Sequence, residues 1–390
     1  MAILISAVAR LRNARSRTVM NAAQRLPASL TALDAAIAAL LDGLAPAAVA
    51  ELPLSQALGC VTAEPVPIRT YPQQDIALVD GWAFRAGDLV GVSAYAPLSL
   101  TTAPRWVEAG DPIPNGCDCV IDADGIDQSA PVPQVMADAS PGHGVRRRGG
   151  DFPDGFVIVP GMQLRPFDIV FAHAARLEKM KVRRPRLRLI NVPATHGDIE
   201  TAHLIEESAR YAGAEVTFAD AGSRGAASIA AELEKTAFDL FVTVGGSGVG
   251  RTDATVLAIG QRGEVFAHGL ALRPGVTSAV GRIGSTPVLA LPGSAAGALA
   301  GWWTLGLPVL DRLSGRQPRE ATILPLARKL ASSVGIAEIA LLERNNGCWV
   351  PLALADLPFQ AIMKASAWLV VPGSSEGFPA GTPVSAYMLI

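Results

Sequence analysis

The stretch that most constrains the fold runs from Asp239 to Asp253. It starts with Leu240 to Val244, five apolar or β-branched residues in a row, which is typical of a buried strand. Four glycines, two hydroxyl residues, an arginine and an aspartate follow. A strand that turns through glycines into a helix often binds phosphate, because backbone N–H groups approach the anion and the helix dipole favours it. The stretch therefore predicts a strand, a phosphate-binding loop and a helix.

The sequence around this stretch alternates between strand and helix patterns. The predicted elements are a strand at 187–192, a helix at 199–212, a strand at 215–219, a helix at 226–237, the strand at 240–244 and a helix at 252–261. This alternation predicts an open, doubly wound and mostly parallel α/β sheet, whose ligands bind beyond the carboxyl ends of the strands. We therefore expect Asp198, Asp220 and the glycine-rich loop to share one crevice. Two turns are further candidates to line it, Arg273-Pro274-Gly275 and Leu291-Pro292-Gly293-Ser294.

Two nucleotide-binding motifs come close to the loop sequence without matching it. Gly245-x-x-x-x-Gly250-Arg251-Thr252 differs from a Walker A loop in having Arg251 in place of the lysine. A planar guanidinium does not replace the compact ammonium that reaches between phosphates. The dinucleotide-binding pattern requires a glycine where Arg251 stands. Both mismatches disfavour an ordinary nucleotide site, and an unrelated nucleotide role stays open only as a minor alternative.

Length, charge and cysteine content limit the class of protein. A chain of 390 residues is long enough for roughly two to four domains. Its formal net charge of −2 provides no overall basic field, so neither nucleic acid nor a membrane is an expected partner. Four cysteines do not make a disulfide framework in a chain of this size, which favours a reducing, cytoplasmic setting. The composition therefore predicts a small-molecule ligand.

One long segment, residues 283–310, contains no charged residue and raises the question of a membrane span. Pro287, Pro292 and Pro308 interrupt the segment, and proline disrupts a continuous helix. The segment is therefore predicted as a buried strand, a turn and a buried helix.

The remaining sequence predicts two small β regions and an N-terminal extension. Short strands rich in glycine, proline and valine occupy residues 101–143, and short apolar runs with turns follow residue 318. Asp80-Gly81 predicts a turn that exposes a carboxylate, and Arg146 to Asp151 predicts an anion-facing loop. Each also has a simpler interpretation, as a turn-forming aspartate and as a solvated loop. Residues 1–28, with no acid before Asp34, are predicted to be a disordered extension.

Several motifs along the chain resemble those of one protein family. They are Ala77 to Ala83 around Asp80, Arg148-Gly149-Gly150-Asp151, the loop Gly245 to Asp253, Pro274 to Thr277, and Leu291 to Gly297. In this order and at these spacings they resemble the MoeA family, the molybdopterin molybdotransferases that include the E domain of gephyrin. The resemblance covers residues 29–390.

The resemblance implies an elongated homodimer of multi-domain subunits, of class α/β plus β. The implied divisions are a linking domain at 29–50 and 145–183, an inserted β domain at 51–144, a doubly wound MogA-like α/β domain that binds molybdopterin at 184–316, a β-barrel-like C-terminal domain at 317–390, and the extension at 1–28. It also implies a MogA-like adenylyltransferase or a recipient molybdoenzyme as a possible partner.

The activity implied by the resemblance is the insertion of molybdate into adenylylated molybdopterin, with release of AMP and with Mg²⁺ as the divalent cation. The catalytic roles fall on Asp80, Asp151 and Asp253, and the metal would be held by Asp80 and Asp253 together with substrate phosphates. The implied ligand-binding residues are Asp198, Asp220, Gly245, Gly246, Ser247, Gly248, Gly250, Arg251, Arg273, Pro274, Gly275, Pro292, Gly293 and Ser294.

The sequence departs from the family pattern at the molybdate end of the implied site. Val276 replaces a lysine and Gly297 replaces a serine. Each charge-assisted hydrogen bond lost in this way weakens anion binding by roughly 1.5 to 3 kcal/mol. Arg251 adds a cation where the family has an acid, which suggests a changed anion preference. Two interpretations follow: a divergent but active molybdenum insertase, or a non-catalytic carrier that binds molybdopterin or the finished cofactor and passes it to a molybdoenzyme.

Overall fold

The computed structural model describes residues 24–129, 131–194, 199–235 and 237–389. Asp198, one of the predicted ligand-binding residues, lies outside the described residues, as do residues 1–23 of the predicted extension. Among the helices of the described ranges, none has the length and apolar character needed to cross a membrane.

The chain up to Arg183 is built from short elements. Its helices are α1 (Leu33–Leu41), α2 (Leu54–Ala57) and α3 (Pro166–Ala174), with 3₁₀ turns at Ala86–Leu89 and Ala123–Gly125. Its strands are β1 (Ala50–Pro53), β2 (Val61–Thr62), β3 (Val66–Pro67), β4 (Ile76–Ala77), β5 (Gly81–Phe84), β6 (Leu98–Ser99), β7 (Arg105–Val107), β8 (Cys119–Asp122), β9 (Ile126–Asp127), β10 (Gln134–Val135), β11 (Val145–Arg146), β12 (Val157–Ile158) and β13 (Lys179–Arg183).

Residues 50–183, here called the β region, form small antiparallel sheets rather than one large one. Their orders are β1-β13-β2, β7-β5-β8, β6-β10-β9, β11-β4 and β12-β3. One apolar cluster lies between α2, α3 and β13, and another lies under the Asp80 turn and contains Ala83, Val107 and Val120. Because β4 pairs with β11, the Asp80 turn and the Arg146 loop are neighbours. The predicted boundaries within this region stay predictions.

Helix α1 packs outside the β region. Its buried residues Leu33, Ala36 and Leu40 belong to the apolar core that also contains Leu187 and Leu189. The segment before it was predicted to be a disordered extension that ends at residue 28, and the structure describes residues 24–28 of it. Leu26 and Pro27 lie over Gly269, and Thr31 forms a parallel bridge with Leu270, because backbone bonds join Thr31 to Gly269 and Ala271.

Residues 184–316, here called the α/β region, contain the elements around the glycine-rich loop. Their strands are β14 (Arg186–Asn191), β15 (Glu215–Asp220), β16 (Leu240–Val244), β17 (Glu264–His268), β18 (Leu272–Arg273), β19 (Ala279–Ile283) and β20 (Thr286–Leu291). Their helices are α4 (Glu200–Tyr211), α5 (Ala226–Leu233), α6 (Thr255–Arg262), α7 (Ala295–Gly301) and α8 (Leu307–Ser314), with a π-helical turn at Trp302–Gly306.

The central sheet of this region has six strands in the order β15-β14-β16-β20-β19-β17. The first four are parallel, and β19 and β17 are antiparallel additions. The predicted open, mostly parallel sheet is therefore confirmed. The register aligns Asn191 with both Asp220 and Val244, and Val244 with Leu291. The loops after these four strands consequently leave the sheet on the same side, at the carboxyl ends of the strands.

The uncharged segment 283–310 folds as predicted into a buried strand, a turn and a buried helix. The helix runs from α7 to α8 through the π-helical turn, which lies just before Pro308. Proline has no N–H to donate to the preceding turn, and a local π-helical adjustment accommodates it. Gly306 is required there, because any Cβ at that position would overlap the ring of Trp302.

Residues 317–389 form the C-terminal region. Its elements are β21 (Thr322–Pro325), β22 (Leu330–Ala331), β23 (Ala337–Asn345), β24 (Cys348–Leu354), α9 (Phe359–Lys364), β25 (Ala367–Val371), β26 (Gly377–Phe378) and β27 (Pro383–Met388). The main sheet has the order β18-β23-β25-β27-β21, with β24 paired to β23. Because β18 comes from the α/β region, this sheet joins the two regions.

Candidate functional site

A cleft of about 320 Å³ opens at the carboxyl edge of the parallel strands. Its walls come from the loops after β14, β15, β16, β18 and β20 and from the start of α4. The lining residues are Asn191, Val192, Ala194, Thr201, Ala202, Arg224, Val244, Gly245, Gly246, Gly248, Asp253, Thr277, Pro292, Gly293 and Ser294. The structure thus brings the glycine-rich loop and the Leu291 to Ser294 turn together, as the sequence predicted.

The first two glycines of the loop cannot be replaced without strain. Gly245 and Gly246 have φ angles of +97° and +66°, which side-chain-bearing residues rarely adopt. A Cβ at Gly245 would lie 2.7 Å from the Val192 carbonyl oxygen, and one at Gly246 would lie 2.5 Å from Thr255 Oγ1. Thr255 then closes the turn, because its hydroxyl donates to the Gly245 carbonyl at 2.9 Å and its N–H donates to the Gly246 carbonyl at 3.1 Å.

The carboxylate of Asp253 has hydrogen-bond partners within the same chain. Its Oδ2 accepts a hydrogen bond from the Gly250 N–H at 2.9 Å, and its Oδ1 is paired with Arg224 Nη2. Arg224 also donates from Nε to Thr252 Oγ1 at 3.0 Å and from Nη1 to the Pro193 carbonyl at 2.7 Å. Helix α6 therefore starts at Thr255 rather than at Thr252, because the preceding residues fold around the Asp253 carboxylate.

Arg224, which lines the cleft, was not selected from the sequence, whereas Arg251, which does not line it, was selected. Among the described residues that line the cleft, Arg224 is the one that carries a positive charge. Arg251 is exposed and is not among the residues that line the cleft, so its contact with the ligand stays a prediction. The signal for Arg224 was its position: it follows β15 closely, at the edge of the sheet where the ligand was expected.

Two other predicted loop residues, Ser247 and Gly250, are not part of the cleft lining. Ser247 is fully buried, and its Oγ has no hydrogen-bond partner among the described residues. Its carbonyl accepts a hydrogen bond from His268 Nε2 at 2.9 Å. Gly250 lies outside the lining and serves Asp253 instead. The predicted ligand contacts of Ser247 and Gly250 therefore stay predictions.

The N-terminal end of α6 is not open to a phosphate, contrary to the prediction. The N–H groups of Val256 and Leu257 donate to the side-chain oxygen of Gln24, at 2.7 and 3.3 Å. A ligand would have to displace this amide to use the helix dipole. Arg224 and the loop backbone are therefore the donors that remain at the cleft for an anion.

Two further predicted ligand-binding groups lie at or beyond the rim. Asp220 is exposed and accepts a hydrogen bond from the amide of Asn191, which does line the cleft. The turn Arg273-Pro274-Gly275 is not part of the lining, although Thr277 is. Arg273 instead pairs at 3.2 Å with the buried carboxylate of Glu338 in the C-terminal region. The predicted contact of Arg273 with the ligand therefore stays a prediction.

Asp80 and Asp151, the other two predicted catalytic residues, lie on the β region. Asp80 is exposed, and its Oδ1 accepts a hydrogen bond from the Ala109 N–H at 2.7 Å. Asp151 forms an exposed ion pair with Arg146. The neighbouring Arg148 binds both oxygens of Asp154 at 3.0 Å, and this hydrogen bond holds the pKa of Asp154 below its usual value. No hydrogen bond or ion pair within the described ranges joins Asp80 or Asp151 to the cleft.

Within one chain, the residues as arranged do not bring Asp80 and Asp253 together as a metal site. The two carboxylates belong to different regions, and Asp253 already has Arg224 and Gly250 as partners. The described part of the chain contains no group of three or more His, Cys, Asp or Glu residues positioned for a metal. An arginine next to a carboxylate competes directly with a cation for it. The divalent cation therefore stays a prediction.

A larger groove of about 690 Å³ adjoins the cleft. The two share Thr201, Gly293 and Ser294. The far wall of the groove comes from the segment before and at the start of α9, where Phe359 is 68% exposed. The combined space has the Arg224–Asp253 ion pair at one end and an apolar aromatic surface at the other.

Comparison with protein-family models matches most of the chain in two parts. The model described as the MoeA N-terminal region (domain I and II) matches residues 31–175. A model described as a probable molybdopterin binding domain matches residues 196–312, which include the glycine-rich loop and most of the residues that line the cleft.

Named relatives and solved structures extend the match. Molybdopterin molybdenumtransferase 2 of Mycobacterium tuberculosis is 27% identical over 305 residues, which are 68% of this chain and 75% of that protein. The molybdopterin molybdenumtransferase of Synechococcus elongatus is 24% identical over 359 residues, or 82% and 89% of the two chains. A crystal structure of the molybdopterin biosynthesis MoeA protein of Pyrococcus horikoshii covers 93% of this chain and all of its own, with a TM-score of 0.65 and 20% identity. The fold is therefore shared over nearly the whole length.

Proposed function

The chain is a divergent member of the MoeA family of molybdenum cofactor biosynthesis, and from this membership we propose that it inserts molybdate into adenylylated molybdopterin and releases AMP. The relatives are named as transferases, so the carrier interpretation is not favoured. The 22–27% identity of the relatives leaves the catalytic step to experiment.

The observation that carries the proposal is Arg224 held against the glycine-rich turn. Arg224 uses three hydrogen bonds to fix its position, and a guanidinium has further N–H donors. Its planar fork suits the oxygens of a phosphate group. The cleft beside it is therefore suited to the phosphate part of an adenylylated pterin.

The shape of the combined space supports a ligand with two chemically different ends. The cleft is suited to the phosphates, and the groove beside Phe359 offers a surface on which a flat ring can stack. We place the phosphates next to Arg224 and Gly246 and one ring system of the substrate along the groove.

The proposal includes a homodimer. Asp80 and Asp151 lie on the β region and have no bond to the cleft of their own chain among the described residues. In the proposed dimer, the β region of the second copy of the chain places its Asp80 over that cleft. Bringing a positioned acid to the reacting atoms is the kind of contribution that completes a catalytic site.

Complementation between two inactive variants tests the homodimer. Asp80→Asn and Asp253→Asn are purified separately and then mixed under conditions that exchange subunits. If the site forms between subunits, mixed dimers regain AMP release, because one of their two sites contains both native aspartates. If each chain forms its own site, mixing restores nothing.

The activity itself is tested with purified protein, adenylylated molybdopterin and molybdate. The expected result is release of AMP together with a cofactor that activates a cofactor-free molybdoenzyme. A titration with Mg²⁺ and with a chelator determines whether a divalent cation is needed. Binding of adenylylated molybdopterin without AMP release would contradict the proposal and support carriage.

A further inference from the structure

Gln24 lies behind the glycine-rich loop and uses its whole side-chain amide there. Its Nε2 donates to the carbonyl oxygens of Gly246 at 3.0 Å and Gly248 at 2.9 Å. Its Oε1 accepts from the N–H groups of Val256 and Leu257. An amide side chain has two N–H donors and one carbonyl acceptor, so each is occupied.

Helix α6 lacks a cap of its own. The residue at its N-cap position is Ala254, which makes no side-chain capping bond. The first N–H groups of a helix need acceptors, and alanine cannot supply one. Gln24 does so from a position 232 residues earlier in the chain than Val256. The loop and the helix are therefore held by a residue that is remote in sequence.

Gln24 acts on residues that line the cleft. Gly246 and Gly248 are both part of the cleft wall, whereas Gln24 is not. Holding their carbonyl oxygens on the far side fixes the orientation of the two peptide planes that follow. Peptide orientation determines where the loop N–H groups point, and glycine peptides rotate with little steric resistance.

Other side chains bond to neighbouring parts of the loop, so the bonds that Gln24 makes can be told apart from the bonds that they make. Thr255 bonds to Gly245 and Gly246, and His268 bonds to the Ser247 carbonyl. Within the described part of the chain, Gln24 is the side chain that bonds to the Gly248 carbonyl and to the N–H groups of Val256 and Leu257.

We infer that Gln24 is a positioning residue, which orients the glycine-rich loop for substrate binding through its bonds to Gly246, Gly248 and the start of α6. The residue precedes the part of the chain matched by the MoeA N-terminal model, which begins at residue 31. The effect on substrate rests on the proposed function, whereas the effect on the loop does not.

Amide hydrogen exchange tests the structural half of this inference. In Gln24→Ala, exchange at Val256 and Leu257 should accelerate by about 2- to 30-fold, the factor that corresponds to the loss of a helix N-cap. In Gln24→Glu, these two amides should stay protected, because a carboxylate still accepts their hydrogen bonds. Arg25→Ala, a change at the exposed neighbouring residue, serves as the control and should leave exchange unchanged.

Kinetics with adenylylated molybdopterin test the functional half. Both Gln24→Ala and Gln24→Glu lose the bonds to Gly246 and Gly248, so KM should rise by about 3- to 10-fold in both while kcat stays within about twofold. Gln24→Glu separates the two roles, since it keeps the helix cap and loses the loop contacts. A glutamate also places a negative charge beside two carbonyl oxygens, which adds to the effect.

Two results would overturn the inference. Unchanged exchange at Val256 and Leu257 in Gln24→Ala would show that Gln24 does not hold the helix start. Accelerated exchange with an unchanged KM in both variants would show a structural cap with no role in the loop. If the wild-type protein shows no turnover, the same comparison is made on the dissociation constant of adenylylated molybdopterin, so that failure of the proposed function is recognised separately.

Discussion

Asp253 and Asp80 are two predicted catalytic acids that the structure holds in opposite ways. The Asp253 side chain is 11% exposed, and both of its oxygens have partners, Arg224 and the Gly250 N–H. Asp80 is exposed, and within the described ranges one of its oxygens has a partner, the Ala109 N–H. The difference shows that Asp253 is part of the loop structure, whereas Asp80 has an oxygen available for chemistry.

The same contrast applies to the two arginine–aspartate pairs. Arg224–Asp253 is largely buried, with side-chain exposures of 23% and 11%. Arg146–Asp151 is open to solvent, with exposures of 41% and 36%. Exposed ion pairs contribute about 0 to 1 kcal/mol, and charge-assisted hydrogen bonds to less exposed groups contribute about 1.5 to 3 kcal/mol. The cleft is therefore preorganised, and the acidic and basic loops of the β region remain adaptable.

The largest expected effect is on turnover, from Asp80→Asn. If Asp80 transfers a proton at the reacting atoms, kcat for AMP release should fall by about 100-fold or more, with no change in the unfolding temperature. AMP release and thermal unfolding measure the two effects. Asp111→Asn is the matched control, because Asp111 is also exposed and also accepts one backbone bond, from Glu108. Turnover within a few-fold of wild type would leave Asp80 as a turn-forming residue.

The next effect is on stability, from the pair in the cleft. A double-mutant cycle with Arg224→Met and Asp253→Asn should give a coupling free energy of about 1.5 to 3 kcal/mol in urea unfolding. Each single variant should also weaken binding of adenylylated molybdopterin, because the loop loses its internal support. A coupling near zero would mean that the ion pair does not stabilise the loop, and the contrast with Asp80 would disappear.

A smaller effect is expected from the equivalent cycle on the β region. Arg146→Met and Asp151→Asn should couple by less than about 1 kcal/mol, and the coupling should decline as salt concentration rises. Urea unfolding at low and high salt measures both quantities. A coupling as large as that of the Arg224–Asp253 pair would show that this loop is as rigid as the cleft.

The smallest effect concerns the pH dependence of Asp154. Its hydrogen bonds from Arg148 and Thr70 hold its pKa below the usual value of 3.8. Its stabilising contribution is therefore present above pH 3.8 and is lost as the pH falls through the lower folded-state pKa. NMR titration of the Asp154 carboxyl should show the low pKa, and Arg148→Gln should return it towards 3.8. An unshifted pKa in the wild type would mean that the pair is not formed in solution.

The predictable part of the site was the part that depends on local sequence. Hydrophobic patterns predict the buried strand at Leu240 to Val244 and the end of the sheet at which it stops. Gly245 and Gly246 then adopt positive φ angles, which glycine tolerates. The side-chain partners did not follow. Arg251 was chosen because it lies inside the loop sequence. The arginine in the cleft is Arg224, which the fold brings there from the loop after β15, a strand separated from β16 by β14.

Sequence by itself determined the α/β sheet, the position of its glycine-rich loop and the family to which the chain belongs. These properties depend on residues close together along the chain or on motifs in a fixed order. Tertiary structure decided which groups bind one another: Arg224 to Asp253, Arg273 to Glu338, and Gln24 to the start of α6. Such pairs join residues that are distant in sequence, and no local pattern encodes them, because their energy arises only after the regions have packed.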